Sequence, residues 1–124
     1  MTSATPGEGE DILTALRQAL RQFAQERDWD QFHSPKNLAI ALSVEAAELL
    51  ERFQWVSEID SAALPPERLE QVRHELADVL LYLIRLADKL NIDLSAAAAE
   101  KLRLNAAKYP IDKARGNARK YTEF

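Results

Sequence analysis

From residue 11 to residue 109 the chain contains no glycine; its three glycines, Gly7, Gly9 and Gly116, all lie near the ends. A stretch of that length without glycine, rich in Ala, Leu, Glu, Arg and Gln, favours helices. Apolar residues do not alternate with polar ones at period two, and β-branched residues are sparse. Together these features predict an all-α fold. With 124 residues the chain suits one domain with one core, and 47% apolar residues are enough to fill it.

Four helices are predicted. The first runs from about Glu10 to Arg27, with Ile12, Leu13, Leu16, Leu20 and Phe23 as its apolar stripe. "RDWDQFHSP" then breaks the pattern, and Ser34 as N-cap with Pro35 at the first helical position starts the second helix, which ends near Trp55. "VSEIDSAALPP" is a connector. The third helix starts at Pro66 and runs to about Leu90, with Asn91 as a left-handed C-cap. Asp93 or Ser95 caps the fourth, and Pro110 stops it after Tyr109. The domain is therefore expected over residues 11–110. Residues 1–10 are expected to be disordered, and residues 111–124 to form a basic tail (Lys113, Arg115, Arg119, Lys120) with little to bury.

Charge narrows the partners. A net charge of −4 and a pI near 5.2 argue against a nucleic-acid polymer. With no cysteine, disulfides and thiolate-metal sites are excluded. "MTSATPGEGE" has neither a basic start nor an apolar run, so no signal peptide is expected, and no apolar stretch nears the ~20 residues of a membrane span. A cytoplasmic protein follows as the expectation. In the third helix, "VLLYLIRLA" is apolar nearly all round. Four helices in a chain this short supply few neighbours to cover such a surface, which predicts a subunit interface and a dimer or higher oligomer.

The second helix poses a sharper question. Leu38, Leu42, Leu49 and Phe53 share one stripe, and Glu45 falls within it, roughly 20–40° from Leu38 and Leu49 at about 100° per residue. An unpaired carboxylate on a buried stripe is costly unless neutralised or compensated. Glu45 and Glu48 are spaced i, i+3, and Glu51 adds a further step. Glu75 and Asp78 repeat the spacing on the third helix, with Tyr82 four residues on. One E-x-x-E is uninformative, since acidic runs are usually solvated faces. Two such pairs bordering apolar stripes are not. If the two helices pack antiparallel, the pairs face each other, and four crowded carboxylates require cations. Oxygen donors without His or Cys point to Mg²⁺, with Mn²⁺ as a substitute.

At these residues the chain resembles a known family. "VEAAELLERFQW" followed by "RHELADVLLYLIRLADKLNIDL" is similar to the E-x-x-E … E-x-x-D signature of the MazG-like, all-α nucleoside triphosphate pyrophosphohydrolases, and is most like their dCTP pyrophosphatase branch. Three flanking motifs of that branch appear in order: "WDQFH" at Trp29–His33, "FQW" at Phe53–Trp55 and "KLRLNAAKYP" at Lys101–Pro110. The resemblance spans about residues 11 to 110. It implies a four-helix MazG-like bundle that hydrolyses a nucleoside triphosphate between the α and β phosphates, with Mg²⁺, to a monophosphate and pyrophosphate. By motif, Glu45, Glu48, Glu75 and Asp78 would be the metal ligands, and Glu48 or Glu75 would activate the nucleophile. His33, Asn37, Trp55, Tyr82, Lys101, Asn105 and Lys108 would contact substrate. Lys101, Asn105 and Lys108 follow i, i+4, i+7 spacing and make one polar stripe suited to phosphate. Lys108 stands where Arg is frequent, and a point charge loses the bidentate geometry of Arg. The resemblance also implies a tetramer, with a dimer next, and sites between subunits.

Two other readings compete. One is a relative with dUTP-led or broad preference, since base choice rests on few pocket contacts. The other is a non-enzymatic helical interaction module, for which inward-facing acids would serve no purpose. A di-iron carboxylate bundle wants Glu-x-x-His pairs, and none occurs: Gln71 precedes His74 and Asp30 precedes His33 at that spacing.

Overall fold

A computed structural model describes residues 11–124. The first ten residues, expected to be disordered, lie outside the described residues. Helices α1 (Ile12–Glu26), α2 (Pro35–Glu51), α4 (Pro66–Lys89) and α5 (Leu94–Lys108) are the four predicted ones. Two four-residue helices, α3 (Glu58–Ser61) and α6 (Ile111–Ala114), and two 3₁₀ turns, Asp30–Phe32 and Tyr121–Glu123, complete the described residues, among which no strand occurs. No helix among them is long and apolar enough to cross a membrane.

The helix ends follow from local chemistry. Asp11 caps α1 by accepting from the Leu13 N–H at 3.1 Å. Ser34 Oγ accepts from the Asn37 N–H at 3.1 Å, and Pro35 takes the first helical position of α2. Asp93, rather than Ser95, caps α5 by accepting from the Ala96 N–H. Two helices end alike. Asn91 (φ 55°) closes α4 while the Ile92 N–H returns to the Ala87 carbonyl, and Asp28 (φ 53°) closes α1 while the Trp29 N–H returns to Ala24.

The second helix stops earlier than predicted. From Arg52 the chain tightens into turns in which Phe53 donates to Leu50 and Val56 to Phe53. Ser57 Oγ then accepts from the Asp60 N–H and starts α3 inside the predicted connector.

The described residues fall into two compact units, one ending at Ile92 and the other running from Asp93 to Phe124. In the first, α2 and α4 form the principal helix pair and α1 packs on α4. The pair is antiparallel: near the start of α2, His33 meets Arg85, while just past its end Arg52 meets Glu75 and Arg68. Ala15 and Ala24 of α1, Leu38 of α2 and Val72, Ile84 and Ala87 of α4 form the core. Alanines at this contact let the helix backbones approach closely, and among the described residues Leu38 is the one large side chain that is fully buried.

In the second unit the tail past Pro110 is folded. The Tyr121 and Phe124 rings meet the Tyr109 ring edge-on, with centroids 6.0 and 5.8 Å away, and Lys108 Nζ lies 5.0 Å from the Tyr121 ring.

Candidate active site

Antiparallel pairing brings the acids of α2 and α4 together. One carboxylate oxygen each from Glu45, Glu48 and Glu75 lies within 4.8 Å of the others. Glu45 and Glu48 are half-buried one turn apart on α2, and Glu75 is 8% exposed on α4. Burial holds the Glu45 carboxyl well above its ordinary value, pushed up to about 7; hydrogen bonding with Glu75 and Glu48 adds to this, as do the charges of Glu48 and Asp78. Glu45 Oε2 and Glu75 Oε2 are buried without a hydrogen-bond partner among the described residues. Such orphaned oxygens are rare and call for an explanation. A cluster of hard oxygen donors, two of them buried and unpartnered, fits a divalent cation that takes oxygen ligands. Asp78, one turn after Glu75, is exposed and lies outside the tight triple, yet it contributes to the field at Glu45.

Asp78 also borders a cavity of about 440 Å³. Leu16, Ala19, Leu20 and Phe23 of α1 make one wall, Trp29 and His33 come from the segment before α2, and Asp78, Leu81, Tyr82 and Arg85 come from α4. Phe23 and Trp29 meet edge-on at 5.7 Å, and Trp29 and His33 at 6.5 Å. An apolar and aromatic pocket with a few convergent polar groups is the usual form of a small-molecule site.

Arg85 is the pocket's structural pin. Only 5% exposed, it donates through Nη2 to Asp30 at 2.5 Å and through Nε to His33 Nδ1 at 3.2 Å. Lys89 shares Asp30. A buried guanidinium is tolerated because its donors are met. Burial lowers the His33 pKa, and the positive charges of Arg85 and Lys89 lower it further. His33 is thus a neutral imidazole whose Nδ1 accepts, which leaves its proton on Nε2.

The other sequence-predicted residues sit as follows. Tyr82 lines the cavity with His33 and Asp78. Asn37 spends its side-chain amide on the Phe32 carbonyl at 3.0 Å, tying the 3₁₀ turn to α2. Trp55 is 89% exposed in the turns after α2 and does not line the cavity. Lys101, Asn105 and Lys108 are exposed on α5, in the second unit. Sequence reasoning missed Arg85, Phe23 and Trp29 as pocket residues. A lone arginine inside "LLYLIRLA" was the available signal, because a cation on an all-apolar segment must find partners. Phe23 read as core, and Trp29 as part of a motif only.

The model of the MazG-like family matches residues 40–124. The chain is 43% identical to dCTP pyrophosphatase 1 of Mus musculus and 40% identical to that of Homo sapiens, each over 116 residues covering 92% of this chain and 68% of the relative. A solved pyrophosphatase structure from Archaeoglobus fulgidus superposes with a TM-score of 0.77 at 38% identity, covering 86% of this chain and 99% of that one. The chain belongs to the MazG-like family.

Proposed function

We propose that this protein is a Mg²⁺-dependent nucleoside triphosphate pyrophosphohydrolase that splits dCTP, or a base-modified dCTP, into the monophosphate and pyrophosphate. Nucleotide pyrophosphatase activity is supported by relatives that share 40–43% identity over nearly the whole chain. The observation that carries the metal-dependent chemistry is the convergence of Glu45, Glu48 and Glu75 beside a cavity that Asp78 borders. Anhydride cleavage asks chiefly for charge neutralisation and positioning. Glu45, Glu48, Glu75 and Asp78 would hold Mg²⁺, or Mn²⁺ in its place, which when bound neutralises phosphate charge and acidifies water.

The chain's own residues do the rest. The cavity lined by Phe23, Trp29 and Tyr82 is the proposed base pocket, since aromatic faces give binding energy to any base. His33 offers its Nε2 proton as a hydrogen-bond donor, which suits a ring carbonyl of a pyrimidine. Glu48 and Glu75 border Glu45 and are the carboxylates proposed to take the proton of the attacking water. Lys101, Asn105 and Lys108 are proposed phosphate contacts. Trp55 would reach a base only from another copy of the chain.

A homo-oligomer, a tetramer before a dimer, is part of this reading. Leu69, Leu76, Leu80 and Leu83 form an exposed stripe on α4, and Ile40, Val44 and Leu50 are exposed on α2. Exposed apolar stripes of that size on neighbouring helices are characteristic of subunit contacts.

The test is initial rates on a panel of dNTPs and NTPs at fixed Mg²⁺. The proposal expects the highest kcat/KM for dCTP or a 5-substituted dCTP. A dUTP-led or flat profile would contradict the base assignment while leaving the chemistry in place.

A further inference from the structure

The pyrophosphatase reading leaves one cation at the acidic cluster without a role. Arg52, the residue after α2, is one helical turn beyond Glu48. Its Nη2 reaches Glu75 Oε1 at 3.5 Å, the outer limit of a hydrogen bond. Its Nε is buried and has no partner among the described residues. The side chain is one-third exposed, so the guanidinium is not sealed in. A guanidinium carries five N–H donors and stays charged at any working pH. Here it holds one long contact to a carboxylate that the proposed site also offers to a cation. With Glu75 as one of the residues that would hold a divalent cation, its contact to Arg52 would weaken, and Arg52 would have a charge and a buried donor to satisfy.

The order of groups along the α2–α4 pair says what would satisfy them. His33 and Arg85 stand at the cavity end, Asp78 and Glu45 come next, then Glu75 and Glu48, and Arg52 last. From Arg85 to Glu75 is ten residues of α4, about 15 Å at the helical rise. A nucleotide with its base in the cavity and its α–β anhydride at the acids projects its terminal phosphates past them, toward Arg52.

We infer that Arg52 binds the pyrophosphate end of the triphosphate, and so holds the leaving group rather than the nucleoside. This rests on the pyrophosphatase reading above. In the absence of substrate Arg52 acts as counter-ion to Glu75; with substrate it exchanges that carboxylate for phosphate oxygens, which take the guanidinium fork more fully.

The test is calorimetric titration of inorganic pyrophosphate, with Mg²⁺ present, into wild type, Arg52→Gln and Arg52→Lys, alongside titration of dCMP. The expected result is a loss of about tenfold or more in pyrophosphate affinity for Arg52→Gln, the worth of one charge-assisted hydrogen bond. Arg52→Lys should recover part of it, and dCMP affinity should not move. In turnover, KM for dCTP should rise in Arg52→Gln. Pyrophosphate affinity within twofold of wild type in both variants would overturn the inference and leave Arg52 as a counter-ion only. Arg52→Lys keeps the charge, so it carries the comparison should Arg52→Gln fail to fold. A wild type that hydrolyses no nucleotide would instead overturn the parent reading, which separates the two failures.

Discussion

Glu45 shows how one residue links folding to chemistry. In the metal-free protein its carboxyl is held at about 7, against an ordinary value of 4.5. The folded state therefore binds a proton that the unfolded chain releases at lower pH. Stability from this group is complete below about pH 4.5 and is lost as pH rises through about 7. His33, whose pKa is lowered by burial and by the charges of Arg85 and Lys89, works in the opposite sense, its contribution to stability growing as pH rises toward its ordinary value. Comparing Glu45→Gln with wild type cancels the histidine. In EDTA, Glu45→Gln should have a higher Tm than wild type at pH 8, with the gain shrinking toward pH 5. An equal or lower Tm at pH 8 would contradict the crowding of acids described here. The acids themselves were legible in the sequence, because i, i+3 spacing on an apolar stripe is a property of the chain alone. Arg85 and Arg52 were not, because what a cation touches depends on which helices meet.

The elements were legible where side chains cap their own backbone. Ser34–Pro35 and Asp93 start helices by local hydrogen bonds, and Asn91 ends one in the left-handed region it tolerates. The first helix ends where its pattern predicts, at Arg27, with Asp28 in the left-handed region. The early end of α2 was hidden. Leu49, Leu50, Phe53 and Trp55 continue a helical pattern, yet the backbone tightens at Arg52 and the aromatic residues fall in turns. That change matters for the site, since it sets Arg52 at the helix end beside Glu75 rather than within a continuing helix. The cap at Ser34 fixes the start of α2 and hence the level at which Glu45 meets Glu75. Ser34→Ala should cost about 1 kcal/mol of stability, measured by urea denaturation, through loss of the bond to the Asn37 N–H. No measurable change would show that Pro35 alone holds that terminus.

At the scale of the whole molecule, the periodicity of "VLLYLIRLA" carried two messages. Ile84 and Ala87 are buried, as a core face requires, while Leu80 and Leu83 remain exposed. Sequence pattern marks both faces as apolar and does not say which is covered within the chain. Its composition leaves the tail little to bury, yet Tyr121 and Phe124 meet Tyr109, a pairing between residues separated by Pro110 and α6 that no local pattern encodes. If the open stripe of α4 joins copies of the chain, Leu80→Glu should lower the assembly state seen by sedimentation velocity, with helical content retained. An unchanged sedimentation coefficient would exclude that stripe as the interface.

Glu45, Glu48 and Glu75 are proposed to form a cation site that supports cleavage of a nucleotide anhydride. The most direct test of that role is pyrophosphate release from dCTP by wild type and Glu75→Gln, each with Mg²⁺ and with EDTA. Release is expected from wild type with Mg²⁺ only, with a loss of at least about 100-fold for a folded Glu75→Gln, in the range of a removed general base. EDTA-resistant release, or near-wild-type turnover by Glu75→Gln, would contradict that role.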